Sequence, residues 1–130
     1  VSKRVELIIN IENDVFVYAD KTSFDTVLRN IVDNGIKFTS AGGKVVIESK
    51  IENNKVVTYI TDEGVGMDQK DMENIFRLDK KTLSIGTNNE KGTGLGLFVS
   101  KEMIEKMDGE IYVESEIGKG SKFIVVLPQA

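Results

Sequence analysis

The spacing of hydrophobic positions changes several times along the chain, and each spacing predicts one kind of element. Residues 6–11 and 15–19 are short, rich in β-branched side chains and separated by Glu12-Asn13-Asp14. Segments of this kind around a polar turn predict two strands, which form either a hairpin or a pair of edge strands.

A helical spacing begins after Asp20. Apolar or small residues then recur every three or four positions: Phe24, Val27, Leu28, Ile31, Gly35 and Phe38. This period predicts one buried helix face that ends near Thr39, with Asp20 or Thr22 as the N-cap. Ala41-Gly42-Gly43 ends the helix.

Strand patterns return in the middle of the chain. Residues 44–51 and 55–61 alternate β-branched and polar side chains around Glu52-Asn53-Asn54, which predicts a hairpin in the core of a sheet. Asp68 is placed to cap a short helix that reaches about Phe76.

The last third of the chain predicts a loop, a helix and two strands. Residues 78–91 show no period, whereas residues 95–107 show a helical one, with Gly109 as a left-handed C-terminal cap. Strands over residues 110–115 and 121–127 flank Gly118-Lys119-Gly120. Because strands outnumber helices and pair mostly through hairpins, we expect an α/β two-layer sandwich, with about three helices on one face of a mixed, mostly antiparallel sheet.

Composition limits the domain organisation. The 130 residues are 40% hydrophobic and include one proline, Pro128, which suits a single domain over residues 1–130 without an internal linker. No apolar run approaches the roughly 20 residues that cross a bilayer, and the first residues lack the apolar core of a signal peptide. Because the chain starts close to a strand without an initiator Met, we interpret it as a fragment of a longer protein.

Charge and missing residue types exclude several functions. The net charge of -4 comes from mixed acidic and basic residues without a basic stripe, so nucleic acid is not an expected partner. The absence of Cys and His excludes thiol nucleophiles, disulfides, imidazole bases and the usual zinc sites. The remaining side chains suit a metal ion and a polyphosphate.

Three polar residues form a stripe on the first predicted helix. At about 100° per residue, Asn34 and Lys37 lie within about 40° of Asn30, beside the apolar face. A solvated helix face is the alternative interpretation. Asparagine is a poor helix former, however, so two asparagines four residues apart favour a binding site.

Two glycine motifs are further candidate sites. Asp62-Glu63-Gly64-Val65-Gly66 ends a strand, where backbone can approach a flat ligand closely, although an ordinary Asp/Gly turn is the alternative. Gly92-Thr93-Gly94-Leu95-Gly96-Leu97 opens a helix, where free N–H groups attract an anion, although a flexible hinge is also compatible. The second motif matches neither a P-loop nor a dinucleotide fingerprint.

The order of the motifs resembles that of the ATP-binding catalytic domain of sensor histidine kinases, in the Bergerat-fold ATPase superfamily. The segments that look like its N, G1, F, G2 and G3 boxes are Asn30-Ile31-Val32-Asp33-Asn34-Gly35-Ile36-Lys37-Phe38-Thr39, Asp62-x-Gly64-x-Gly66, Ile75-Phe76, Gly92-Thr93-Gly94-Leu95-Gly96-Leu97 and Gly118-x-Gly120-Ser121. The resemblance spans nearly the whole chain.

The resemblance implies a role for each polar residue. Asn34 would bind Mg²⁺, Lys37 would contact a phosphate, and Asn30 would position the γ-phosphate as a second candidate metal ligand. Asp62 would accept a hydrogen bond from the amino group of adenine. The carbonyl group at the same place in guanine has no hydrogen to donate to the ionised carboxylate. Ser121, where the family usually has threonine, would lie near the adenine.

The resemblance also implies that Gly64 and Gly66 shape the adenine wall and that residues 78–92 form a lid over the phosphates. The candidate contacts at the end of that lid are Lys91, Gly92, Thr93, Gly94, Leu95, Gly96 and Leu97. The second aromatic residue of the F box is missing near Leu78-Asp79, so the lid would lack one of the side chains that usually anchor it. We therefore expect fast amide hydrogen exchange there.

The family resemblance favours transfer of the γ-phosphoryl group to another protein group over hydrolysis of ATP. Related gyrase, mismatch-repair and chaperone ATPases carry a glutamate where this chain has Asn30, and an amide cannot take a proton from water. The implied partners are ATP or ADP, a histidine-containing dimerisation domain in a homodimeric parent, and a response-regulator receiver domain. This fragment would be monomeric and cytoplasmic, without membrane contact of its own, from a parent that can be membrane-anchored.

Two alternatives remain open from the sequence. An anti-sigma-type serine kinase has the same fold, and a histidine-containing helical hairpin upstream of Val1 would argue against it. A non-catalytic nucleotide-binding module is the other alternative, and an autokinase assay on the parent protein would separate it from a kinase.

Overall fold

A computed structural model describes residues 5–11, 21–77 and 96–129. The elements follow in the order β1 (Glu6–Ile11), α1 (Lys21–Phe38), β2 (Lys44–Glu52), β3 (Lys55–Asp62), α2 (Gln69–Asn74), α3 (Gly96–Lys106), β4 (Glu110–Glu116) and β5 (Gly120–Pro128). The predicted strand over residues 15–19 and the predicted lid over residues 78–92 lie outside the described residues.

In the described part of the chain, five strands form one mixed sheet in the order β1-β2-β3-β5-β4. The β1 strand runs parallel to β2, whereas the other neighbouring pairs are antiparallel. Together with the three helices of the described residues, this architecture is an α/β two-layer sandwich, which confirms the predicted fold class.

The β2–β3 hairpin follows directly from its turn residues. Asn53 and Asn54 have φ angles of 49° and 62°, and Glu52 pairs with Lys55 across the turn. Two successive residues with positive φ make the turn whose twist matches that of paired strands, and asparagine tolerates this conformation. The predicted hairpin is confirmed.

One face of the sheet carries the core. Ile47, Ile60 and Phe123 lie opposite one another on three neighbouring strands, so their side chains share that face. The core consists of Val27, Ile31, Val45, Ile47, Ile60, Leu97, Ile104, Ile111, Phe123, Val125 and Leu127. Burying one such side chain contributes roughly 1.5–3 kcal/mol, so this cluster holds α1 and α3 against the sheet.

The α1 helix has the predicted amphipathic character. Val27 and Ile31 are completely buried, whereas Arg29 and Asp33 on the same helix are exposed. Asn30, Asn34 and Lys37 are half-buried, at the border of the apolar face. Within the described ranges no helix is long and apolar enough to cross a membrane.

Asp68 caps the N-terminus of the α2 helix as predicted, because its carboxylate accepts a hydrogen bond from the N–H of Asp71 at 2.8 Å. The chain then leads to Phe76, whose ring meets that of Phe123 edge to face, with centroids 6.1 Å apart. The F-box phenylalanine thus anchors the segment that follows β3 to the core.

The C-terminal cap of α3 differs from the prediction. Asp108, with φ of 60°, is the left-handed residue, and Gly109 is not among the residues with positive φ. The N–H of Gly109 donates to the carbonyl of Ile104 at 2.9 Å, and the N–H of Asp108 donates to that of Glu105 at 3.2 Å, which is a Schellman pattern. Gly109 serves space instead, because a Cβ there would lie 2.5 Å from the carbonyl oxygen of Val126.

Candidate active site

Asp62 is a buried carboxylate at the end of β3. Its residue is 4% exposed, and its Oδ1 accepts a hydrogen bond from the N–H of Gly64 at 2.8 Å. Burial raises the pKa of Asp62 to about 6, although hydrogen bonds from the backbone of Gly64 and Ser121 act in the opposite direction. The carboxylate is therefore mainly ionised at neutral pH, in a place where a further hydrogen-bond donor would stabilise its charge.

Gly35 brings the α1 helix against this carboxylate. A Cβ on Gly35 would lie 3.4 Å from the Cβ of Asp62 and 3.6 Å from its Oδ2. The sequence pattern had placed Gly35 on the apolar helix face, and the structure confirms that it is buried. The first helix and the end of β3 therefore meet at Gly35 and Asp62.

The segment after Asp62 is fixed by close backbone contacts. A Cβ on Gly64 would lie 2.7 Å from Oδ1 of Asp62 and 2.8 Å from the carbonyl oxygen of Phe38. Gly66 has a φ of 76°, and its Cβ would lie 2.0 Å from the carbonyl oxygen of Glu116. Both glycines predicted for the adenine wall therefore stand where a side chain does not fit.

Ser121 lies directly beside Asp62. The two residues are register partners in β5 and β3, and Ser121 is 8% exposed. The preceding Gly120 has a φ of 83°, and its Cβ would lie 2.1 Å from the carbonyl oxygen of Asp62. The predicted G3 segment and the predicted G1 segment thus meet, as the prediction of one site requires.

Asn30 connects α1 to the start of α3. Its Nδ2 donates to the carbonyl oxygen of Gly96 at 3.1 Å and lies 3.2 Å from Oγ of Ser100 as a donor. Ser100 is completely buried, and its Oγ donates to the same Gly96 carbonyl at 2.8 Å. These contacts turn the nitrogen of the Asn30 amide towards α3 and leave its Oδ1 as the atom for other ligands.

Lys37 lies one helical turn beyond Asn34. Its Nζ lies 4.5 Å from the centroid of the Phe38 ring, a cation–π distance. The ammonium group therefore rests near the end of α1, where the chain turns towards Gly64 through the Thr39–Gly64 bridge.

Most residues of the predicted G2 segment lie outside the part of the chain that the structure describes. Lys91, Gly92, Thr93, Gly94 and Leu95 lie outside the described residues. Gly96 is the first residue of α3 and contacts Asn30, whereas the side chain of Leu97 is 7% exposed and packs in the core.

Two residues of the site, Ser100 and Ser115, were not predicted from the sequence. Ser100 follows Leu97 by three residues and precedes Ile104 by four, so a polar residue stands at a core position of an amphipathic helix. Ser115 continues the inward alternation of Ile111 and Val113 in β4. A small hydroxyl at a position that the pattern assigns to the core was the available signal for both.

The polar side chains that α1 presents beside this site are amides, Asn30 and Asn34. Among the described residues no group of three or more acidic side chains is arranged to hold a metal ion. Mg²⁺ accepts neutral carbonyl oxygens when phosphates supply the charge. The fixed orientation of the Asn30 amide presents such an oxygen, and Asn34 lies one helical turn further along the same stripe.

Comparison with known proteins agrees with this geometry. Residues 19–130 match the family described as histidine kinase-, DNA gyrase B- and HSP90-like ATPases. The sensor protein SrrB of Staphylococcus aureus is 36% identical over 110 residues, which cover 85% of this chain and 19% of SrrB. The chain thus spans about a fifth of the length of the curated relatives that it matches.

Solved structures show the same fold. The catalytic domain of the histidine kinase ThkA superposes with a TM-score of 0.79 at 30% identity, over 96% of this chain and 79% of that domain. Full-length ShkA in complex with AMPPNP superposes with a TM-score of 0.79 at 24% identity, over 97% of this chain and 26% of ShkA.

Proposed function

The chain belongs to the family of histidine kinase-, DNA gyrase B- and HSP90-like ATPases, and from this premise we propose that it binds ATP with Mg²⁺ and donates the γ-phosphoryl group to a histidine on another domain of a longer two-component sensor kinase. One observation carries the proposal. The buried Asp62 carboxylate lies against Gly35, on the same helix that presents Asn30 and Asn34.

Asp62 gives the site its preference for adenine. An ionised carboxylate accepts a hydrogen bond, so it favours the exocyclic amine of adenine and opposes the carbonyl group of guanine. Because Asp62 is 4% exposed, a guanine oxygen there would leave two acceptors facing each other without water between them. The glycines at positions 64 and 66 keep the wall beside it flat.

Asn34, with Asn30 as a second oxygen donor, would hold Mg²⁺ between the chain and the phosphates. The bound ion would neutralise charge on the phosphates during transfer. The two amides would hold the Mg²⁺ ion without adding a negative charge beside the phosphates. Lys37 adds a positive charge at the end of the same stripe.

The side chains at and beside Asn30 favour transfer of the phosphoryl group to a separate acceptor over transfer to water. Its amide is bonded to Gly96 and Ser100 and cannot accept a proton from water. Asp33 is the nearest carboxylate along the helix, and its side chain is exposed. Because the chain contains no histidine, the acceptor histidine must come from elsewhere.

The partners of the proposed reaction follow from this division of labour. The acceptor would lie on a helical dimerisation domain of the parent kinase, which would then pass the phosphoryl group to the receiver domain of a response regulator. The relatives, about five times longer than the matched segment, are consistent with such a parent. A homodimeric parent, membrane-anchored or not, would keep this domain in the cytoplasm.

Two assays test the proposal. Titration calorimetry should show Mg²⁺-dependent binding of ATP and ADP, and equal affinity for GTP would contradict the role of Asp62. With radiolabelled ATP the chain alone should remain unlabelled and hydrolyse ATP slowly. Adding a histidine-bearing helical hairpin from the parent should give an acid-labile, base-stable phosphoprotein, whereas acid-stable label on this chain alone would overturn the proposal.

A further inference from the structure

Ser115 joins three segments around the adenine end of the site. Its Oγ accepts a hydrogen bond from the N–H of Met67 at 2.8 Å and donates one to the carbonyl oxygen of Gly120 at 2.8 Å. The same Oγ lies 2.8 Å from Oγ of Ser121, its register partner on β5. One hydroxyl therefore contacts the loop after Asp62 and the first two residues of β5.

Each serine hydroxyl has a single hydrogen to donate, and this decides which serine is the donor in the contact between Ser115 and Ser121. A serine hydroxyl has one hydrogen and two acceptor lone pairs. The hydrogen of Ser115 is used on the carbonyl of Gly120, so the hydroxyl of Ser121 must donate in the contact between the two serines. Ser121 consequently presents an oxygen acceptor, and no hydrogen, to any other ligand.

The residue that carries this acceptor lies beside Asp62 in the sheet. Ser121 and Asp62 are register partners, both are at least nine-tenths buried, and the Ser121 backbone is hydrogen-bonded to the Asp62 carboxylate. Two neighbouring acceptors suit a ligand group with two hydrogens, such as an amine, directly or through a water molecule. A hydroxyl that rotated freely would also serve a ligand carbonyl as a donor, which would weaken that selection.

We propose that Ser115 is a positioning residue for base recognition, which sets the direction of the Ser121 hydroxyl and holds the Met67 segment so that the site selects purines with an amine at C6, as in adenine. This inference rests on the proposed function and deepens it by assigning base selectivity to a residue that acts through Ser121. Loss of Ser115 would release the Ser121 hydroxyl and leave the N–H of Met67 without its acceptor.

Ser49 provides a matched control. It is also a serine on the core face of the same sheet, and its Oγ lies 3.0 Å from Oγ1 of Thr58. Thr58 is four residues away from Asp62 along β3, so the Ser49 hydrogen bond is remote from the base site. Replacement of either serine by alanine removes one hydrogen-bonded hydroxyl from the core face of the sheet, buried at Ser49 and half-buried at Ser115, but only that of Ser115 contacts Ser121.

The experiment compares ATP with purine riboside triphosphate, which lacks the exocyclic amine, and with GTP by titration calorimetry. In Ser115→Ala, the preference for ATP over the analogue should fall roughly tenfold, while the affinity for the analogue changes little. Ser49→Ala should keep the wild-type preference, and Ser115→Thr, which retains a hydroxyl, should restore most of it. A merely structural role would instead weaken both ligands equally.

The outcomes separate the two proposals. If the wild type binds no ATP, the proposed function fails and the inference fails with it. If the wild type binds ATP and Ser115→Ala keeps the full preference for the amine, the inference alone is overturned. Should Ser115→Ala fail to fold in thermal melts, Ser121→Ala takes its place, since removal of that acceptor must lower the same preference, and an unchanged preference would overturn the inference.

Discussion

The two ends of the site are built in different ways. At the end that we propose for adenine, called the adenine end, backbone atoms meet at strand ends, and added Cβ atoms on Gly66 and Gly120 would lie 2.0 Å and 2.1 Å from carbonyl oxygens. At the phosphate end, side chains connect two helices, through the Asn30 amide and the Ser100 hydroxyl.

This difference assigns different consequences to substitutions. The adenine end is shaped by the sheet itself, so it is in place before the nucleotide arrives, and changes there should act on affinity and base selection. The end that we propose for the phosphates would depend on the orientation of amides and on a metal ion, so changes there should act on metal dependence and rate. Four predictions test this division, from the largest effect to the smallest.

Asn34→Ala should abolish phosphoryl transfer to a supplied histidine-bearing hairpin, a loss of roughly a thousandfold or more, because it removes the proposed ligand of Mg²⁺. ATP binding in the absence of Mg²⁺ should change little. Transfer rates and titrations with and without Mg²⁺ measure both quantities. Transfer near the wild-type rate would remove Asn34 from the phosphate end of the site.

Asp62→Asn should weaken ATP binding roughly a hundredfold, because the amide exchanges a charged acceptor for a group that can turn a donor towards the adenine amine. Its stability should not fall with its affinity. Burial raises the pKa of Asp62 from 3.8 to about 6, so the ionised carboxylate costs up to about 3 kcal/mol of folding free energy at neutral pH. Thermal melts should therefore show an unchanged or higher melting temperature, and a large decrease would contradict this account.

The pH dependence of ATP affinity should follow Asp62. With a pKa of about 6, only about a tenth of the carboxylate is ionised at pH 5, so affinity should fall roughly tenfold between pH 7 and pH 5. Folding stability should change with pH in the opposite direction to affinity. Protonation of Asp62 stabilises the fold fully below pH 3.8, and this contribution is lost as the pH rises through about 6. Asn34→Ala should retain the dependence of affinity on pH, whereas Asp62→Asn should lose the part that Asp62 causes.

Asn30→Ala and Ser100→Ala should have the smallest effects, and these should appear in rate. Asn30→Ala should lower the rate of transfer roughly tenfold with little change in ATP affinity, because Asn30 is assigned to positioning. Ser100→Ala should lower it roughly threefold, since one of two hydrogen-bond partners of the Asn30 amide remains. A loss of affinity that matches the loss of rate would remove the distinction between the two ends.

Much of the fold could be predicted because its signals are local. The turn residues Asn53 and Asn54 predicted a hairpin, and Asp68 predicted a helix cap; both are confirmed. The helical spacing of Val27 and Ile31 predicted the buried face of α1. Each of these features depends on residues within a few positions of one another.

The cap of α3 shows where a local signal fails. A glycine after a helix commonly adopts the left-handed conformation, and Gly109 was predicted to do so. In the structure Asp108 takes that conformation, and Gly109 is needed where the chain passes close to Val126. The reason for the glycine lies on a strand seventeen residues further along the chain, beyond the reach of a local pattern.

The linear order of residues was enough for the elements, the family resemblance and the polar stripe of Asn30, Asn34 and Lys37, because helical period, turn chemistry and motif order are written in neighbouring positions. Only packing in three dimensions decided that Gly35 would meet Asp62 and that the two hydroxyls of Ser115 and Ser121 would meet beside it. Such contacts depend on strand register and on the close approach of backbones from distant segments. A hydrogen bond can then select its partner from any residue that the fold brings within 3 Å.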